Sequence, residues 1–249
     1  MKNLILALLL TVAMPIFSAG AEMTNGVFYA DQPVECHLIA QSGASTTNQL
    51  SAGKTYVVEN ALVELEVAKK TTFYFAGGPM IEVGPNSTFS INLFDTEVKN
   101  LDSTPRKAEF GNHNLSLTFN RGEFAIVYPN RDSNSSFTLA TPFSSYELGG
   151  GKYFVRLSDK SVIAFVLDGT LITHGDKNRT DKTEKGRLAV AIPFTNPSSG
   201  LADKIITSIK PLDAAEIERF ASPILSAEKK WADVQFFVVG NQVIGVWMK

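Results

Sequence analysis

The stretch Leu115-Ser116-Leu117-Thr118-Phe119-Asn120-Arg121-Gly122-Glu123-Phe124-Ala125-Ile126 decides the fold class. Leu115, Leu117 and Phe119 alternate with Ser116 and Thr118, and Phe124 and Ile126 continue the theme after Asn120-Arg121-Gly122. Apolar residues two apart put every large side chain on one face of a strand and leave the other face wet. The same period recurs outward along the chain. Phe89, Ile91 and Leu93 alternate with Ser90 and Asn92, and Val63, Leu65 and Val67 alternate with Glu64 and Glu66.

Between these runs stand Gly77-Gly78-Pro79, Gly84-Pro85-Asn86, Asn120-Arg121-Gly122, Pro129-Asn130 and Asp168-Gly169. Glycine and asparagine tolerate positive φ, so each cluster is expected to be a turn. From Val27 to about Ile192 no helical pattern intervenes, which argues against parallel strands joined by helices and against a nucleotide-binding α/β fold. The expected fold is mainly β: a solenoid-like or sandwich-like stack of short strands with a C-terminal helix and β-hairpin.

The pattern changes after Pro193. Phe194 to Gly200 has the composition of a linker, and Leu201, Ile205 and Ile209 have the spacing of a short helix. Pro211 suits the first turn of a second helix carrying Leu212, Ala215, Ile217, Phe220 and Ile224, with a break or kink near Ser222 because Pro223 follows. Val234 to Val239 and Val243 to Met248, flanking Gly240-Asn241-Gln242, form a closing hairpin. The expected organisation is a leader over 1–21, a β domain over 22–192 and a helical and hairpin extension over 193–249.

The leader rests on Lys2, the apolar run Leu4 to Phe17 and the small residues Ser18-Ala19-Gly20-Ala21, the three parts of a secretory signal cleaved before Glu22. The run is interrupted by Pro15 and falls short of the roughly 20 residues a spanning helix needs. Export to the periplasm or the medium, and a soluble mature chain, are therefore expected. A hydrophobic fraction of 44% with 19% charged residues excludes whole-chain disorder. The formal charge of −2 becomes about −3 once Lys2 leaves with the leader, too near neutral for a nucleic-acid or anionic-lipid footprint. The basic stretch Lys177 to Arg187 is interleaved with acids and is expected to be a solvated loop.

Signatures of chemistry are weak. His37, His113 and His174 lack metal-ligand spacing, and the lone Cys36 is expected to be a buried thiol, with the adjacent His37 on the opposite strand face. No G-x-S-x-G elbow occurs. Gly149-Gly150-Gly151-Lys152 lacks the flanking residues of a phosphate loop and suits a bulge or tight turn. Glu64 and Glu66 share a strand face and have the geometry for paired carboxylate work, but their alternation with Val63, Leu65 and Val67 is accounted for by a solvated face. No catalytic, cofactor or metal residue is expected. Tyr146 and Tyr153, bordering the glycine run, are the candidate contact patch, since tyrosine offers apolar area with a polar tip.

Several pieces in order resemble the FecR domain, a periplasmic sensor module of bacterial iron-uptake regulators. They are Met80 to Phe89, Leu117 to Phe124 around Arg121-Gly122-Glu123, Phe137 to Pro142, Gly149 to Phe154, and Val162 to Leu171, within about residues 71–171. The resemblance implies a solenoid-like strand stack without catalytic residues that works by protein contact. In the regulators the domain follows a cytoplasmic anti-sigma segment and a membrane helix, and neither is recognisable here. The function expected is binding or sensing of another cell-envelope component, a protein or a surface polymer. The alternative is a secreted structural or carbohydrate-binding surface protein.

Overall fold

The computed structural model describes residues 22–39, 43, 45–58, 62–99, 106–129, 134–174, 180–195, 202–231, 234–239 and 242–247. The expected leader over 1–21 lies outside them. The mainly β expectation holds in its sandwich form: two large sheets face each other, and a helix with a small third sheet covers one of them.

The first sheet pairs β3 (Val34–Ile39), β4 (Ser45–Leu50), β6 (Leu62–Val67), β9 (Ser87–Val98), β11 (Phe110–Tyr128), β12 (Ser136–Ala140), β13 (Ser145–Leu148), β16 (Thr170–His174) and β17 (Thr180–Glu184) in the spatial order 4-3-6-9-11-12-13-16-17. β1 (Glu22–Asn25) joins it against the far end of β9. The second sheet runs β5 (Thr55–Val57), β2 (Val27–Ala30), β7 (Thr71–Phe75), β8 (Met80–Val83), β11, β14 (Gly151–Ser158), β15 (Ser161–Asp168), β18 (Arg187–Thr195) and β19 (Ala202–Pro211). Strand β11 belongs to both sheets.

Its passage between them corrects one expectation. Asn120-Arg121-Gly122 is no turn, because β11 continues through it. The register against β9 slips between Phe119 and Arg121, and Gly122 has φ 109, a conformation that favours glycine. The irregularity changes the parity of the strand. Leu115, Leu117 and Phe119 point into the sandwich from the first sheet, whereas Phe124, Ile126 and Tyr128 do so from the second. Phe119 and Phe124 stack across this junction with ring centroids 3.5 Å apart.

The inner faces meet in one core, where edge-on pairs such as Phe73 with Phe89 and Phe75 with Phe94 join the two sheets. The middle of the second sheet is buried on both faces, so β7 and β8 are wholly buried and do not alternate. Its outer face carries Tyr29, Tyr74, Met80, Phe154, Phe165 and Leu188 against the helix α1 (Ala214–Trp231) and the antiparallel hairpin β20 (Val234–Val239) and β21 (Gln242–Trp247). The two-residue strand β10 (Arg106–Lys107) pairs with β20 to complete the third sheet.

Three further readings are corrected. Leu201 to Ile209 is not helical: β19 covers most of it and pairs with β18 from Arg187↔Pro211 to Thr195↔Ala202. The β-branched run Ile205-Ile206-Thr207 favours that strand. Pairing therefore carries the sandwich to Pro211, past the boundary placed at 192. The basic stretch is not a loop throughout, since Thr180–Glu184 is β17 and Arg187 opens β18; Lys177 to Arg179 lie outside the described residues. The helix does not break near Ser222 but runs through Pro223. An internal proline costs about 3 kcal/mol, and the burial of Phe220, Ile224 and Ala227 against the second sheet offsets it. Asp213 starts the helix, with Oδ1 accepting from the Glu216 amide at 2.8 Å and Glu216 Oε2 accepting from the Asp213 amide at 3.3 Å.

Candidate functional site

The capped second sheet leaves the outer face of the first as the broad polar surface among the described residues. Alternation puts Thr47 and Gln49, Glu35 and His37, Glu64 and Glu66, Thr88 and Ser90, and Thr118 on that face, and the register slip in β11 adds Arg121. Strand register lines them into two rows across five strands. One row runs Thr47, His37, Glu64, Ser90, Thr118, and the other runs Gln49, Glu35, Glu66, Thr88, Arg121. A shallow groove of about 480 Å³ follows the second row, floored by Glu35, Glu66 and Thr88 and ended by Arg121.

The face is knitted by side-chain hydrogen bonds. Asn92 Nδ2 donates to Thr118 Oγ1 at 2.8 Å, and Ser136 Oγ donates to Asn114 Oδ1 at 3.0 Å. His37 Nδ1 lies 3.0 Å from Thr47 Oγ1. Its Nε2 faces Glu35 Oε1 at 3.5 Å and Glu66 Oε1 at 3.8 Å, and the three donor groups lie within 4.8 Å of one another. Glu35 and Glu66 are each more than half exposed, His37 about a quarter.

Sequence reasoning placed Glu64 and Glu66 on one face but did not join them to Glu35 and His37. The signal was present: Glu35-x-His37 and Glu64-x-Glu66 each put two polar groups on the wet face of a strand. Their pairing required the register Glu35↔Glu66 and His37↔Glu64, which neither segment encodes alone. Cys36 points the other way into the core, fully buried, and burial pushes its thiol up to about 11.

The contact patch expected at Tyr146 and Tyr153 is overturned. Both are buried, at 1% and 0% exposure, because their positions on β13 and β14 face inward. Tyr153 Oη donates to the carbonyl of Gly149 at 2.7 Å or to that of Thr170 at 2.9 Å, so it braces the glycine turn from beneath. The bulge reading of that run holds: register slips between Lys152 and Tyr153. His113 is buried with Nε2 2.9 Å from Tyr128 Oη, and His174 lies 3.7 Å from Glu147 on the open face.

Fold and site define a two-sheet β-sandwich with one face capped by a helix and hairpin and the other open and polar. No protein-family model matches the chain, and no curated protein matches it. A solved structure from Parabacteroides distasonis ATCC 8503, provisionally named an anti-sigma factor, is similar over 60% of this chain. The TM-score is 0.40 and the identity 12%, and the match spans 61% of that structure's length. Among the described residues no helix is long and apolar enough to cross a membrane.

Proposed function

We propose that this chain is an exported, non-catalytic FecR-like protein that binds or senses another component of the cell envelope through the outer face of its first sheet. The observation that carries the reading is the asymmetry of the sandwich. The second sheet buries its outer face under α1 and the hairpin, while the first presents two ordered rows of polar side chains across five strands. Ordered polar rows on a rigid sheet suit recognition, since little side-chain freedom remains to be lost on binding.

The family resemblance agrees with this reading in its spacing. Met80 to Phe89 spans β8, a turn at Asn86 with φ 57, and β9. Leu117 to Phe124 spans the sheet-to-sheet passage of β11, and Val162 to Leu171 spans β15, the Asp168-Gly169 turn and the start of β16. The first and last of these pieces are strand-turn-strand units of the sandwich, and the middle one is a continuous strand where the resemblance implied a turn.

The test is site-specific photo-crosslinking in intact cells, with the reactive group placed at Asn92 or Thr118 on the open face and at Leu225 on the exposed side of α1. Capture of one envelope protein from the first two positions and not from Leu225 is the expected result. Capture of a glycan polymer instead selects the structural or carbohydrate-binding alternative. Capture from Leu225 alone overturns the assignment of the face. Intact mass of the exported protein tests the leader, with Glu22 as the expected first residue.

A further inference from the structure

We propose that Glu35, His37 and Glu66 form a binding site for a first-row divalent cation of the zinc type. The site shares a face with the envelope-binding surface proposed above, but neither requires the other.

The argument begins with spacing. A direct charge-assisted hydrogen bond between imidazole and carboxylate closes to about 2.7–2.9 Å, whereas Glu35 Oε1 and Glu66 Oε1 stand 3.5 and 3.8 Å from His37 Nε2. Bonds of about 2.0–2.2 Å to a tetrahedral zinc place neighbouring donor atoms roughly 3.3–3.6 Å apart. The observed separations are those of ligands around an ion more than those of a closed ion pair.

Chemistry and orientation agree with the spacing. One imidazole and two carboxylates make a donor set that suits zinc and its neighbours, and two negative charges match a divalent ion. Ligating histidines have their second ring nitrogen held by a polar partner, which fixes ring plane and tautomer. His37 has this in Thr47 Oγ1, 3.0 Å from Nδ1 on the adjacent strand, which leaves Nε2 as the atom turned to the carboxylates. Glu35 and His37 come from β3 and Glu66 from β6, paired backbones that bring the three side chains to one face.

Electrostatics favours occupancy as well. Glu35 lies directly opposite Glu66 in the register, and like charges facing each other across two strands destabilise the sheet. A bound cation relieves that repulsion. Three protein ligands leave a fourth tetrahedral position open to water or to a donor group of a partner.

The test is calorimetric titration of the tag-free protein with zinc chloride, joined to the visible spectrum with cobalt(II), whose intensity reports a tetrahedral site. One equivalent with a tetrahedral cobalt spectrum is expected. His37→Ala should weaken zinc by more than about a hundredfold, beyond the cost of losing a group behind a ligand, and Thr47→Val by about tenfold. His174→Ala, which removes the histidine beside Glu147, should leave affinity unchanged. Glu66→Gln, which keeps the side-chain volume, serves as a second variant if His37→Ala does not fold, and should also lose the cobalt spectrum. Failure of the wild-type protein to take up one equivalent, or wild-type affinity in both His37→Ala and Glu66→Gln, overturns the proposal.

Discussion

Lys230 on the last turn of α1 holds its ammonium 2.9 Å from Oε2 of Glu82, a β8 carboxylate whose side chain keeps only 2% of its exposure. Lys70 pairs with the other oxygen of Glu82, and Lys230 Nζ also donates to Thr72 Oγ1 at 3.0 Å. The network pins the C-terminal end of the helix to the second sheet. Removing one partner leaves a buried charge short of its compensation, and that cost exceeds the net worth of the pair.

Lys230→Met should therefore destabilise the protein by about 1–3 kcal/mol, a value discounted because Lys70 remains and Lys230 is partly exposed. Urea unfolding measures it. A cycle with Glu82→Gln should show that the two changes are not additive. Additive losses would place the stabilisation in packing alone.

Gly122→Ala should be among the most damaging single changes. An added methyl group meets Ser87 Oγ, Cβ and Cα, and alanine does not readily adopt φ 109. A loss of about 2–4 kcal/mol is expected from strain and overpacking together. Gly43→Ala, which also sits at positive φ but meets nothing, should cost less. Equal thermal midpoints for the two variants would show that the sheet-to-sheet passage of β11 tolerates a side chain.

Alkaline stability should be set by buried tyrosines. Burial pushes Tyr146 up to about 12, and burial raises Tyr153 further. An unfolded tyrosine titrates near 10, so the folded state keeps protons that the unfolded state releases. Stability is then intact below about pH 10 and falls as pH rises toward 12, by at most about 1.4 kcal/mol per pH unit for each such tyrosine. Denaturation midpoints against pH test this, and Tyr146→Phe should flatten the decline. Tyrosinate absorbance that appears in full near pH 10 in the folded protein would contradict it.

Cys36 should resist thiol reagents until the protein unfolds. The side chain is fully buried in the sandwich core, and its thiol is pushed up to about 11, so little thiolate exists at neutral pH. Labelling under native conditions should track global opening measured by denaturant. Rapid native labelling would show that the β3 end of the sandwich opens locally.

Much of the fold was legible because burial on one side writes period two into a strand. Leu115, Leu117 and Phe119, or Val63, Leu65 and Val67, declare their inward face without reference to any other segment. The helix and the closing hairpin were legible for similar reasons. Leu201 to Ile209 misled because residues four apart lie on one face of a strand as well as of a helix, so that spacing in a short run does not separate the two. The helix continues past Pro223 because propensity is a local quantity and the packing of Ile224 and Phe220 is not.

The sequence by itself determined the strand-rich class, the wet and dry faces of the alternating strands, the interior place of Cys36 and the turns at Gly84-Pro85-Asn86 and Asp168-Gly169. Each of these depends on a residue and its near neighbours. Only the tertiary structure decided that β11 serves two sheets, that Tyr146 and Tyr153 are core residues bracing a glycine turn, and that Glu35, His37 and Glu66 share one surface site. Those relationships join residues up to dozens of positions apart through strand register. A one-residue slip in any pairing moves a side chain to the opposite face, so no local pattern can specify them.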